Sequence, residues 1–368
     1  MNFRNRNDNT FSIFLTAFTV VTLWVSSSCA QPVDELIDIS DEGFIYSRTG
    51  SPFTPVGFNY DRDWDHRLLE DYWEQDWETV KEDFIEMKAL GANVVRVMLQ
   101  FNRFMDGPDL PNTENLSRLV DLVRLAERLG LYLDLTGLGS FRPKDNPQWY
   151  TRLTESERWN VQAIFWGAIA EVCADRPGIF AFNLMNEPIV SGENLSPGAW
   201  AHPVAIDGLH YIEYINLSPD GRDRTNIAVA WIRKMKEAIT SHDKRHLITV
   251  GLFPVFDNVD ASGFAPKKIS NEIDYISVHL YPQTGQVNRA LDLLKLYDVG
   301  KPIIIEETFP LNCGLKDYRD FLERSRETAS GWLTFYWGKT LDELSDSNEP
   351  IDKIVRDNIR VFQEVMNK

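Results

Sequence analysis

Apolar and polar positions in this chain alternate between two rhythms. Short, nearly continuous apolar runs read as strands covered on both faces: "FTPVGFNY", "ANVVRVML", "LYLDLTGLG", "GIFAFNLMN", "HLITVGLF", "IDYISVHLY", "KPIIIEE" and "GWLTFYWG". Between them lie longer stretches with apolar residues three and four apart, the spacing of a helix with one buried face. "WETVKEDFIEMKALG" carries Val80, Phe84 and Met87 and stops at Gly91, and "LSRLVDLVRLAERLG" stops at Gly130. "ERWNVQAIFWGAIAEVCAD", "RTNIAVAWIRKMKEAITSHD", Val287–Tyr297 and "LKDYRDFLERSRETA" follow the same pattern. The terminal helix "PIDKIVRDNIRVFQEVM" sets Ile351, Ile354, Val355, Ile359 and Phe362 on one expected face. Eight strands alternate with helices over about 310 residues, and no Gly-rich phosphate loop follows the first strand. The pattern predicts an α/β chain folded as a closed (β/α)8 TIM barrel, not a dinucleotide-binding sheet.

The first thirty residues stand outside this pattern. Arg4 and Arg6 precede the apolar run "FSIFLTAFTVVTLWV", and small residues Ser28 and Ala30 follow, the layout of a secretory signal cleaved after Ala30. The run falls short of the ~20 apolar residues that span a bilayer. The alternative is lipid attachment at Cys29, although Ser26 stands where such signals usually carry Leu. The expected organisation is therefore a signal over residues 1–30 and one catalytic domain over 31–368, secreted or periplasmic, without an integral membrane segment and monomeric.

Charge narrows the partners. The chain has 38 Lys and Arg against 55 Asp and Glu, a formal charge of −17, and loss of the signal makes it −18. So acidic a chain is ill suited to nucleic acid. Neither Cys-x-x-Cys nor His-Glu-x-x-His occurs, so no metal or cofactor is expected. Cys173 and Cys313 remain in the mature chain, either as one disulfide or as two separate thiols.

In a barrel of this kind, active-site groups sit at the C-terminal ends of the strands. Asn59, Arg96, Asn186, Glu187, His279, Tyr281, Glu307 and Trp337 all fall at such ends. Singly, Arg96 reads as a salt-bridged barrel residue, His279 as a core histidine and Trp337 as a core aromatic. Together they surround two glutamates from the fourth and seventh strands, and paired carboxylates are the equipment for cleaving glycosidic bonds.

The ordered segments "GFN", "GANVVRVML", "NLMNEP", "VHLY", "KPIIIEET" and "FYWG" resemble the strand-end motifs of glycoside hydrolase family 5, the retaining cellulases and mannanases, over residues 40–365. The resemblance implies a β-linked oligo- or polysaccharide substrate, with Glu187 as acid/base and Glu307 as nucleophile. It implies that Arg96 and Tyr281 keep Glu307 ionised, that Asn186 and His279 bind the sugar in the −1 subsite, and that Trp337 is its stacking floor; Asn59 joins this substrate-binding set. A non-catalytic carbohydrate-binding barrel and a transglycosylase share the same residues.

Two positions depart from the family. Thr136 stands where many members carry a sugar-contacting histidine; it is expected in the substrate-binding set but too short to reach the same sugar atom without a bridging water. Weak activity on plain cellulose is expected, with preference for a decorated or epimeric glycan that fills the space beside Thr136 and Gly137. Glu306 stands where the residue before the nucleophile is usually Gly. In a regular strand, neighbours point to opposite sides, so Glu306 is expected between strand and helix layer, paired with a cation. Two long loops complete the picture. Residues 191–225 form either a hairpin "HYIEYINLSPDGR" on the rim or one wall of the cleft, and "DRDWDHRLLEDYWEQDW" places aromatics and acids after the first strand.

Overall fold

The computed structural model describes residues 31–254 and 258–367, so the expectations for residues 1–30 lie outside the described residues. Eight parallel strands close into a barrel: β1 (Val56–Tyr60), β2 (Val94–Gln100), β3 (Tyr132–Gly139), β4 (Ile179–Asn186), β5 (Leu247–Leu252), β6 (Ile276–His279), β7 (Ile303–Glu307) and β8 (Gly331–Phe335). They follow one another in chain order, and β8 returns to β1 through the pairs Trp332–Val56 to Phe335–Asn59. A helix follows each strand: α1 (Trp77–Ala89), α2 (Thr113–Leu129), α3 (Glu155–Cys173), α4 (Arg224–Thr240), α5 (Pro266–Ile269), α6 (Val287–Leu296), α7 (Leu315–Ser325) and α8 (Pro350–Met366). The fifth is a single turn, which explains why no helical rhythm was legible between β5 and β6.

The helix boundaries have local causes. Asn112 caps α2 through its side chain, and Gly130 ends it in the left-handed conformation with φ 69°. Thr154 and Glu157 form a reciprocal capping box at α3. In α8, Val355, Ile359 and Phe362 are buried as the pattern predicts, whereas Ile351 and Ile354 are exposed. Ile351, in the first turn, reaches the rim of the barrel mouth instead. Cys173 and Cys313 are both free thiols, the first buried in the core.

The base of the barrel carries an element the periodicity did not reveal. Residues Ile37–Ser40 and Gly43–Tyr46 pair as an antiparallel hairpin. Its side chains Ile37 and Phe44, with Phe53, pack against Val94, Tyr132, Phe180 and Tyr275, forming a separate apolar cluster that plugs the N-terminal end. The ring of Phe44 lies 5.4 Å from those of both Phe180 and Tyr275. Among the described residues, no helix is long and apolar enough to cross a membrane.

Candidate active site

The two glutamates enter the mouth by different backbone devices. Strand β4 ends at Asn186, and Glu187 adopts a left-handed conformation, φ 45°, that turns the chain sharply while its amide donates to the Gly251 carbonyl at 2.8 Å. Such a conformation costs on the order of 1–3 kcal/mol in a non-glycine residue and persists only where its surroundings impose it. Pro188 then starts a two-residue strand paired with Glu213–Tyr214. Glu307 ends β7. The pairing of β6 with β7 slips there, from Val278 opposite Ile305 to His279 opposite Glu307, so Glu306 is an inserted residue in β7. That bulge breaks the alternation expected of a regular strand. Both Glu306 and Glu307 consequently face inward, and Glu306 is not between strand and helix layer.

Arg96 is the centre of the site. Fully buried, it donates to Glu307 Oε1 at 2.6 Å, Asn186 Oδ1 at 2.7 Å, Thr136 Oγ1 at 2.8 Å and Asn59 Oδ1 at 2.9 Å, and its Nε lies 3.2 Å from Glu306 Oε2. Asn59 is itself fixed by donating to the carbonyls of Glu306 and Thr334. Tyr281 donates to Glu307 Oε2 at 2.5 Å. Glu307 is thus held from both sides, by a guanidinium on Oε1 and a phenol on Oε2.

Glu187 has a different environment. Burial raises its carboxyl above the ordinary range, although His279, with Nδ1 at 2.8 Å from Oε1, opposes this. One oxygen from Glu187, one from Glu307 and a ring nitrogen of His279 all lie within 4.8 Å of one another. Burial alone would lower His279, but Glu307, Glu187 and Glu306 around it outweigh that effect and push it up to about 9. It is an imidazolium at neutral pH.

Beneath this layer is a second acidic pair. Glu306 accepts from Ser277 Oγ at 2.5 Å and Asn183 Nδ2 at 2.8 Å, and lies 3.5 Å from His279 Nε2. Burial would raise it, yet Arg96 and His279 hold it at about 2. Asp134 beside it is raised well above the ordinary range by burial and by the Glu306 charge. The bulge therefore gives the site an internal anion that offsets the charge on His279.

Above these groups opens a cleft of about 850 Å³. Glu187, Glu307, Tyr281 and Trp337 line it, as do Asp61, Arg62 and Trp64 from the loop after β1. Trp337 donates its indole N–H to Asp61 at 2.9 Å and packs against Phe309 and Phe335. The sequence matches the family described as Cellulase (glycosyl hydrolase family 5) over residues 47–337. The chain belongs to glycosyl hydrolase family 5. It is a glycosidase, hydrolysing glycosidic bonds. Among solved structures, it is similar to a GH5_18 protein of Bifidobacterium longum subsp. longum in complex with Manβ1-4GlcNAc, with TM-score 0.63 and 15% identity over 86% of this chain and 78% of that one. It is also similar to the endo-1,4-β-mannanase of Rhizomucor miehei, with TM-score 0.60 and 18% identity over 90% of this chain and 100% of that one. A third is the exo-β-1,4-mannosidase Op5Man5 of Opitutaceae bacterium strain TAV5, with TM-score 0.59 and 17% identity over 81% of this chain and 54% of that one. A search of curated proteins finds no match.

In this family 5 barrel the residues singled out from sequence fall at two depths. Glu187, Glu307, Tyr281 and Trp337 face the cleft; Arg96, Asn59, Asn186 and His279 lie behind them, buried and bonded to them or to one another. Thr136 is placed deeper than expected. It is buried under Arg96, accepting from Arg96 Nε and donating to Asp134 Oδ1 at 3.3 Å, so it orients the guanidinium and does not reach the cleft. The loop after β4 is a cleft wall, and its hairpin is displaced from the one expected: Ala201 pairs with Glu213 and Ile206 with Leu209, giving a hairpin over 200–214. From it, His202, Asp207 and Tyr211 line the cleft. Asp61 and Tyr211 were not singled out as site residues, and only their position in aromatic, acid-rich loops signalled them.

Proposed function

We propose that this glycosidase is a secreted, retaining enzyme that cleaves a β-linked glycan by double displacement. The observation that carries the reading is the close pair Glu187 and Glu307 in unlike surroundings. Oxygens within 4.8 Å suit attack by a carboxylate on the sugar, whereas an inverting pair stands about 6.5–9.5 Å apart to admit a water. Glu307, positioned by Arg96 at 2.6 Å and Tyr281 at 2.5 Å, attacks the anomeric carbon. Glu187, its carboxyl raised by burial, gives a proton to the departing oxygen. The bond from Glu307 to the sugar is then broken by water, which passes its proton back to Glu187.

The similar structures include a mannanase, a mannosidase and a complex with Manβ1-4GlcNAc, which makes β-mannosides the first substrates to test, ahead of β-glucans and xylans. NMR of the product anomer within minutes of mixing should show the β form first, and an initial α product would sink the scheme. Glu307→Ala should lose nearly all turnover and regain part of it with azide, which replaces the missing nucleophile. The same rescue in Glu306→Ala instead would transfer the nucleophile's role to Glu306.

A further inference from the structure

Resting on that reading, we propose that the enzyme removes one glycosyl residue at a time from the non-reducing end of its substrate, because the hairpin over 200–214 walls off the glycone end of the cleft immediately beyond the catalytic pair.

The wall starts at the catalytic groups themselves. On one side Trp337 donates to Asp61, and Asp61 accepts from the Tyr211 hydroxyl at 3.0 Å. On the other side Asn186, next to Glu187, donates Nδ2 to the Tyr211 carbonyl at 2.9 Å. Tyr211 therefore bridges the β4 and β8 sides of the mouth. Of the residues at the ends of β2 and β3, only Met98 reaches the cleft among the described residues.

This closure is packed. Leu209 is buried with Leu68, Met98 and Phe141, Tyr211 lies against the Phe141 ring at 4.6 Å, and the His210 amide donates to the Phe141 carbonyl at 2.8 Å. The tip is a tight turn, with Asp207 and Gly208 both left-handed at φ 53° and 81° between Ile206 and Leu209, which bond reciprocally. Asp207 also meets Arg62 at 3.2 Å across the cleft, but an ion pair this exposed contributes little; the apolar cluster holds the wall.

The two ends of the cleft differ chemically. At the wall, Asp61, Arg62 and the Tyr211 hydroxyl offer the charged and hydrogen-bonding groups that sugar hydroxyls need, beside the Trp337 ring. Away from the wall the cleft is lined by Phe253, Leu280 and Leu311 together with Gln283, Gln286 and Asn312, and among the described residues no hairpin rises from the loops that carry them. The sugar held between the catalytic pair and this wall is then the terminal one. Everything beyond the scissile oxygen leaves through the open end.

The test uses the mature chain with 4-nitrophenyl β-mannoside, 4-nitrophenyl β-glucoside and the corresponding β-1,4-biosides. Turnover of a monoside is expected. Its bioside should yield free monosaccharide and nitrophenyl monoside before any nitrophenol, and a bioside left intact while the monoside is cleaved also supports the single-sugar limit. Disaccharide and nitrophenol as first products overturn the proposal, whether or not the monoside is cleaved. Inertness toward all four substrates defeats the glycosidase reading itself and is distinguishable from both. Leu209→Ala thins the wall without cutting it and should raise the disaccharide share at least threefold; an unchanged share in the folded variant removes the hairpin as the cause. If that variant does not fold, Phe141→Ala serves the same comparison.

Discussion

His279 carries a charge that the fold must hold in place, and replacing Glu306 by Gln isolates one of the anions that does so. The imidazole rises from an ordinary 6.5 to about 9 against the effect of burial, under the influence of Glu307 at 3.4 Å, Glu187 at 2.8 Å and Glu306 at 3.5 Å. A base whose proton is held more tightly in the folded state contributes stability below its unfolded pKa and loses it as pH climbs through the folded one. The window therefore runs from 6.5 to about 9, and at ~1.36 kcal/mol per tenfold change it is worth about 3 kcal/mol. Three anions at similar distances share this effect, and Asp134 can ionise to replace part of the lost charge, so the amide should remove about 1 kcal/mol of it. Urea denaturation at about pH 6 and about pH 10 reads the difference: the stability lost across the window should be about 1 kcal/mol smaller in Glu306→Gln than in wild type. NMR of the labelled ring nitrogens should find the imidazolium of His279 surviving to higher pH in wild type. Equal slopes in the two proteins, with His279 titrating at the same pH in both, would refute the role assigned to Glu306.

Three further outcomes follow from named contacts. Tyr281→Phe removes the 2.5 Å bond to Glu307, and since a hydrogen bond to a charged group is worth about 1.5–3 kcal/mol, kcat/KM should fall roughly ten- to a hundredfold; less than threefold would show that Arg96 suffices. A Cβ on Gly251 would lie 2.9 Å from Arg96 Nη2 and 3.2 Å from His279 Nε2, so Gly251→Ala should keep its circular dichroism spectrum but lose about a hundredfold in kcat/KM by displacing the catalytic layer. Gly57→Ala would drive a Cβ to 1.7 Å from the Val94 carbonyl oxygen, backbone that cannot yield; its urea midpoint should fall by the equivalent of at least about 3 kcal/mol, while a wild-type midpoint would show that β1 and β2 are more loosely joined than described.

The barrel was legible because each parallel strand is covered on both faces and so writes a continuous apolar run, and each helix writes a stripe. The pair Glu187 and Glu307 was legible for the complementary reason: a charged residue at the end of such a run has to be there for the mouth. What sequence could not give were features set by register. A bulge changes which way Glu306 points without changing any residue, so the rule of alternating faces misplaced it. Thr136 was misplaced because a position can align with a sugar-contacting one while the large side chain above it, Arg96, occupies the intervening space. The wall was hidden differently: Leu209, Tyr211 and Phe141 are ordinary loop residues until β3 and β4 bring their loops together.

The hairpin that plugs the barrel base has a consequence in time. Its Phe44 packs on Tyr275, so one of the earliest parts of the domain to be synthesised has to wait for one of the later ones. At ribosomal speeds of ~5–20 residues per second, the intervening chain takes on the order of 10–50 s to appear. Through that interval Phe44 lacks its Tyr275 contact, and a growing chain displays an incomplete floor to any chaperone that binds exposed aromatics. Completion of the base is thus a late event in biosynthesis, and an N-terminal truncation past Ile37 would leave the floor open permanently.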